Sequence, residues 1–299
     1  MGAGALGCLY GYFLSKRYDV VFVARGKQFE ALKRGLKVTG LIQDFVKVNV
    51  VDKPCDADVT FVTVKSYDTE NVARTLANVD CGVVVSLQNG IGNEEILMKY
   101  LEKVLGGVTT YASNLVDYGW IEFAGVGETF IGEMSGEISE DVVNVVEILR
   151  SCGINATAVD DIVRMKWIKT VINSAVNPIT AILRVRNGVI VDIKELWNLA
   201  LSVLREGEDV LRAMGFDVKL EDVLRDVLVK TAKNKSSMLQ DVERGKRTEI
   251  DFINGAIIRK AEKLGIDVPY NKALYSLVKG VEYGLVEGHS SFRSTNIRA

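Results

Sequence analysis

The chain is 299 residues long, with 48% apolar and 25% charged residues, an ordinary globular composition that fits about two domains. Lys and Arg number 37 against 39 Asp and Glu, a net charge of -2, which excludes holding a nucleic acid by bulk positive charge. No apolar run reaches the ~18 residues that a membrane span needs. The glycine-broken start Ala3–Leu14 has no basic segment before it and makes a poor signal peptide.

The first half alternates β-branched runs with helical patterns. Strands are expected at Asp19–Ala24, Phe45–Val51, Val59–Val64, Val83–Leu87 and Val104–Thr110. Helices are expected between them at Leu6–Lys16, Phe29–Arg34, Thr69–Asn78 and Asn93–Leu101. This order implies βαβ units and a mostly parallel sheet, an α/β domain. Glycines punctuate Asn114–Gly132, which reads as antiparallel hairpins closing the sheet. A helix at Ser139–Cys152 and a strand at Ala156–Val159 complete the domain, expected to span 1–160. Beyond it, Ile162–Asn177, Ile193–Met214, Leu220–Arg244, Thr248–Leu264 and Asn271–Glu287 carry helical periodicity, so 161–299 is expected to be all-α. The polar ending His289–Ala299 is expected to pack poorly.

The four cysteines, Cys8, Cys55, Cys81 and Cys152, lie far apart without a CxxC, and no metal site is expected. A reducing cytoplasm fits this better than a disulfide framework. His289 is the only histidine, so proton transfer falls to Lys, Glu, Asp or Tyr.

Gly2-Ala3-Gly4-Ala5-Leu6-Gly7 heads a helical segment as G-x-G-x-x-G. In a dinucleotide site the first glycine permits the tight turn, the second admits the pyrophosphate and the third lets helix and strand pack closely. A flexible glycine-rich turn fits the same six residues; the βαβ context that follows favours the nucleotide. At the end of the next strand, where NAD-binding folds carry an acid, stands Arg25. A guanidinium pairs with a 2′-phosphate, so NADP(H) is expected over NAD(H), with NAD(H) still open and a solvated arginine the alternative. Lys65 is a second cation at a strand end, or else a surface lysine. Only Met1 precedes Gly2, whereas the fold needs a strand there; the first strand is apparently missing from this chain. The expectation is a natural chain longer by roughly five to seven residues.

Lys169, Asn173 and Asn177 stand at i, i+4 and i+8 of an otherwise apolar helix, so they share a face. Buried amides and an ammonium need partners, which a polar ligand supplies, as would internal hydrogen bonds or caps. Asn177 before Pro178 also fits a helix end. Thr248 with Asp251 fits a capping box opening a helix, which puts Glu249 in its first turn, either as a dipole partner or as an acceptor for a substrate hydroxyl.

Together GAGALG, the VTVK ending at Lys65, LQNGIGNEE around Asn89, WIKTVINSAVNPITAI and SSMLQD…RTEIDFING resemble the ketopantoate reductase (2-dehydropantoate 2-reductase) family over nearly the whole chain. The resemblance implies a Rossmann-type N-terminal domain and an all-α substrate domain, as in 6-phosphogluconate dehydrogenase-like reductases. It implies reduction of 2-dehydropantoate to (R)-pantoate with NADPH, on the route to pantothenate and coenzyme A. Carried over residue by residue, it makes Lys169 the general acid. Asn173, Asn177, Asn187, Ser237 and Glu249 become substrate residues, and Arg25, Lys65 and Asn89 join the glycine turn as cofactor residues. A related reductase of another short 2-keto or 3-hydroxy acid is the alternative; a non-enzymatic NADP-responsive regulator would not need the Lys169 face. The partner expected is a small-molecule substrate, with no nucleic acid or membrane; a homodimer stays open.

Overall fold

A computed structural model describes residues 1–287; the expectation for His289–Ala299 lies outside them. The described chain divides into two compact units, the first Met1–Lys166 and the second from Trp167 onward. The first contains α1 (Ala5–Leu14), β1 (Val21–Val23), α2 (Gly26–Arg34), β2 (Leu36–Gly40), β3 (Asp44–Val46), β4 (Asn49–Val51), β5 (Val59–Val62) and α3 (Thr69–Leu76). It continues with β6 (Val83–Ser86), α4 (Asn93–Leu97), β7 (Val104–Thr109), β8 (Ala112–Asp117), β9 (Trp120–Gly125), β10 (Thr129–Glu133), α5 (Glu140–Ser151) and β11 (Ala156–Ala158).

The main sheet runs β11-β10-β7-β6-β5. Strands β5, β6 and β7 are parallel, and β10 joins antiparallel to β7. Every residue of β6 is buried, as a strand covered on both faces requires. Helix α5 shows the local logic: the Ser139 hydroxyl accepts from the N–H of Val142, Glu140 and Asp141 fill the first turn, and Val142, Val145, Val146 and Leu149 are buried.

Two sequence expectations change here. Phe45–Val51 is not one strand but β3 and β4, because its halves pair differently, β3 antiparallel to β2 and β4 parallel to β1. The hairpin β8–β9 does not close the main sheet; it forms a separate sheet of order β3-β2-β9-β8, with β9 parallel to β2, and β10 closes the main sheet instead.

Among the described residues, strand β1 pairs only with β4, and no strand stands between β1 and β5. Met1 and Gly2 alone bridge the two: the Met1 α-amine donates to the carbonyl of Phe61 (2.7 Å), the Thr63 N–H donates to the carbonyl of Met1 (2.9 Å), and the Gly2 N–H to that of Val23 (3.3 Å). A cavity of about 440 Å³ fills the rest of the slot, lined along its sides by Val21, Phe22, Val59 and Phe61 and by Tyr10 and Leu14 of α1.

Helix α6 (Ile162–Leu183) runs from the first unit into the second. There follow α7 (Val189–Asp192), α8 (Lys194–Ala213), α9 (Glu221–Lys230), α10 (Ser237–Glu243), α11 (Asn254–Leu264) and α12 (Pro269–Glu287). Helix α6 does not stop at Asn177 but continues through Pro178. Proline has no N–H to give the carbonyl of Ser174 four residues back; the Asn254 side chain donates to it instead (3.2 Å). Asn254 also donates to Asn271, whose side-chain amide and N–H both reach Glu206. These buried groups pin α6, α11, α12 and α8 to one another. The run 220–244 splits into α9 and α10 because the Ser236 hydroxyl accepts from the N–H of Leu239 and starts a new helix.

Candidate active site

The glycine turn has the geometry that its spacing foretells. Gly2 sits at φ +94, where a Cβ would stand 2.6 Å from the N of Val64. A Cβ on Gly7 would lie 2.2 Å from the carbonyl oxygen of Gly2 and 2.5 Å from the Thr63 hydroxyl. Gly4 differs: a Cβ there would meet nothing within 4 Å. The first and third glycines therefore allow close packing, while the middle one leaves open space at the N-cap of α1. The first-turn N–H groups of α1 have no helical acceptor, and no acid stands among them to compete with a phosphate. A dinucleotide pyrophosphate fits this cradle.

The other nucleotide candidates gather around that turn. Gln28 donates to the carbonyl of Ala3 (2.6 Å), which ties α2 to the glycines. Arg25 is the N-cap of α2 and exposed, and its guanidinium has no hydrogen bond or ion pair among the described residues. Ala5 and Leu6 open α1. Beyond β5 the Thr63 hydroxyl donates to the carbonyl of Gly2 (2.7 Å), and Lys65 caps the short turn Ser66–Asp68. The Ser66 hydroxyl and the Asn93 amide both donate to the carbonyl of Asn89 (2.8 and 2.9 Å). So a continuous set of bonds links the glycine turn, the Lys65 turn and the Asn89 turn. Sequence reasoning missed Gln28, Thr63, Ser66 and Asn93; the last three sit in or beside the motifs around Lys65 and Asn89.

In the second unit, Lys169, Asn173 and Asn177 share one face of α6. Lys169 and Asn173 are half-buried and Asn177 is buried. The neighbouring positions Val171, Ala175, Val176 and Ile179 are core. The Thr180 hydroxyl donates to that of Ser236 (2.7 Å) and sets the start of α10 against α6, one helical turn beyond Asn177. Ser237, the first residue of α10, is thereby brought to the same end of the helix face.

Asn187 and Glu249 belong to the same unit. Asn187 precedes α7; its amide donates to the Thr231 hydroxyl (3.0 Å), and its buried Oδ1 has no hydrogen-bond partner. The expected capping box does not form. Thr248 donates through both its N–H and its hydroxyl to Glu282 (2.7 Å each), a single 3-10 turn covers Ile250–Phe252, and the helix begins only at Asn254. Asp251 is drawn away by Arg247, Tyr275 and Lys279. Burial pushes its carboxyl up, but these three donors outweigh it and hold it below the usual carboxylate range. Glu249 is buried directly before that turn, as its N-cap rather than in a helical first turn.

Three of the cysteines, Cys8, Cys81 and Cys152, are buried and all four are free. Burial pushes the Cys8 thiol up to about 12, which keeps it inert. Among the described residues there is no cluster fit to hold a metal and no helix long and apolar enough to cross a membrane.

A glycine cradle for a pyrophosphate, followed by a helical domain that carries a lysine–amide face, defines a two-domain nicotinamide-dependent oxidoreductase. Residues 1–136 match the family Ketopantoate reductase PanE/ApbA, and residues 161–282 match Ketopantoate reductase PanE/ApbA C terminal. The chain belongs to the ketopantoate reductase family. It is 57% identical to the 2-dehydropantoate 2-reductase of Archaeoglobus fulgidus, over 95% of this chain and 97% of that protein. It is 39% identical to that of Pyrococcus horikoshii, over 94% and 96%. Among solved structures, a PanE/ApbA family ketopantoate reductase from Ralstonia eutropha superposes with a TM-score of 0.87 at 31% identity, covering 96% of this chain and 98% of that one. D-mandelate dehydrogenase in complex with NADH and anilino(oxo)acetate shares the fold, with a TM-score of 0.89 at 23% identity over 95% and 97%.

Proposed function

We infer that the chain reduces 2-dehydropantoate to (R)-pantoate with NADPH, the step that feeds pantothenate and coenzyme A synthesis. The observation that carries this is the face Lys169–Asn173–Asn177 on α6, in the domain matched to the family's C-terminal half. The reduced nicotinamide supplies a hydride to the keto carbon. Lys169 stabilises the charge that develops on the carbonyl oxygen and donates the proton to it, so hydride and proton together give the alcohol. An ammonium suffices for this step, so it requires no histidine.

Asn173, Asn177, Asn187 and Ser237 orient the polar groups of the substrate, and Glu249 accepts from its 4-hydroxyl. We assign 1–160 to cofactor binding and 161–299 to substrate binding. Gly2, Ala3, Gly4, Ala5, Leu6, Gly7, Lys65 and Asn89 hold the dinucleotide. The unpaired guanidinium of Arg25 favours a 2′-phosphate and hence NADPH over NADH. Free cysteines fit a cytoplasmic enzyme, and a near-even charge gives no basis for a nucleic-acid partner. A homodimer is the assembly consistent with the exposed Leu277 and Tyr283 of α12.

The test is NADPH oxidation with 2-dehydropantoate and with the same 2-keto acid lacking the 4-hydroxyl. A site built to bind a hydroxyl leaves its own carboxylate unpaired when the hydroxyl is missing. The expected preference is on the order of 10²-fold or more in kcat/KM, collapsing in Glu249→Gln. Equal rates on both substrates would favour the related 2-keto acid reductase.

A further inference from the structure

A buried charge pair lies under the Asn89 turn, and the reaction as described does not use it. Lys166 Nζ stands 2.7 Å from Glu94 Oε1, with side-chain exposures of only 4% and 1%. At this distance the two charges are in direct contact, and the other carboxylate oxygen, Glu94 Oε2, is buried without a hydrogen-bond partner. Lys166 also donates to the main-chain carbonyl of Gln88, at 3.4 Å. Removing two charges from water costs several kcal/mol for each, and well-packed apolar residues of the same volume often serve stability as well or better. Stability alone therefore gives poor reason for this pair.

Its connections suggest another use. Gln88 and Glu94 flank the turn that presents Asn89. The Gln88 side chain donates to the carbonyl of Val64 (3.0 Å) and to the Thr69 hydroxyl (2.8 Å), and Asn93 donates to Ser66 (3.2 Å). The Asn89 turn is thus stitched to the Lys65 turn by buried polar side chains. Lys166 grips this assembly at two points and sits on α6, three residues before Lys169. All of these contacts lie inside the first unit, of which Lys166 is the last residue.

We propose that Lys166, neutralised by Glu94, is a positioning residue: it fixes the Asn89 and Lys65 turns against the opening turns of the helix that carries Lys169. This rests on the reading that those turns hold the cofactor. The ammonium is suited to the task because it gives one strong ionic contact to α4 and a second contact to the backbone of the turn. A hydrophobic replacement would fill the space without holding the register.

The experiment uses Glu94→Gln, Lys166→Met and the double variant Lys166→Met/Glu94→Leu, with thermal midpoint, NADPH dissociation constant and steady-state kinetics read for each. The double variant should regain most of the thermal midpoint lost by Lys166→Met. Its NADPH Kd should stay raised about tenfold and its kcat lowered about 10- to 100-fold, the scale of a small misplacement of reacting groups, while the KM for 2-dehydropantoate moves little. A double variant with wild-type NADPH affinity and kcat would overturn the proposal and leave the pair a packing element. If the double variant does not fold, Glu94→Gln, which keeps shape, decides: a raised NADPH Kd supports the strut, and an unchanged one overturns it. Should the wild-type chain bind NADPH yet not turn over 2-dehydropantoate, the substrate assignment fails while the binding measurements still judge the strut.

Discussion

In the proposed function, Arg25 sets cofactor choice by simple charge chemistry. It caps α2 and is exposed, with no carboxylate engaging it among the described residues. A guanidinium at the end of β1 attracts a 2′-phosphate in fork geometry, whereas an acid would repel it. Arg25→Asp should therefore weaken NADPH strongly and NADH little, in fluorescence titrations of the two cofactors. An equal loss for both would mean that Arg25 does not read the phosphate. The same scale explains why Pro178 is tolerated inside α6. The carbonyl it leaves without a helical donor is met by Asn254, so the face bearing Asn177 continues unbroken to Leu183.

Between β1 and β5 the sheet has a strand-shaped gap, and the element scale is where it matters. Met1 alone makes ladder bonds to the β5 side, and its α-amine is buried there. Burial lowers that amine from 8.0 to about 6. In the unfolded chain it takes up a proton below pH 8, but in the folded chain only below about 6. Its contribution to stability is therefore present above pH 8 and lost as pH falls toward 6, to the extent of about 2–3 kcal/mol. Denaturant melts at pH 6 and pH 8 read this directly. Joining an apolar strand of about five residues ahead of Met1 should fill the slot, raise the melting temperature at both pH values and flatten the difference between them. An extended chain with the same midpoint and the same pH slope would show that β1 and β5 do not accept a strand.

Much of the whole molecule was legible in the sequence, and the misses have physical causes. The glycine spacing told that Gly2 and Gly7 stand where a side chain would collide, because that is a local steric fact. The i, i+4, i+8 face of α6 was equally local. Strand β2 and the split of Phe45–Val51 were not, because ladder pairing decides them: β2 lies between β3 and the distant β9, while β4 pairs with β1. Thr248 was misread for the same reason: Glu282, on another helix, offers its hydroxyl and N–H a charged acceptor that a capping box cannot match. Glu94 lay inside a quoted motif and Lys166 directly before another, yet only the fold brings them together.

Single-turnover reduction of 2-dehydropantoate by NADPH, comparing wild type with Lys169→Ala, tests whether Lys169 is the general acid. The expected result is a hydride-transfer rate lower by about 10²–10⁴-fold, the usual contribution of a general acid, with the NADPH dissociation constant nearly unchanged. A variant that reduces the substrate at close to the wild-type rate would contradict the account.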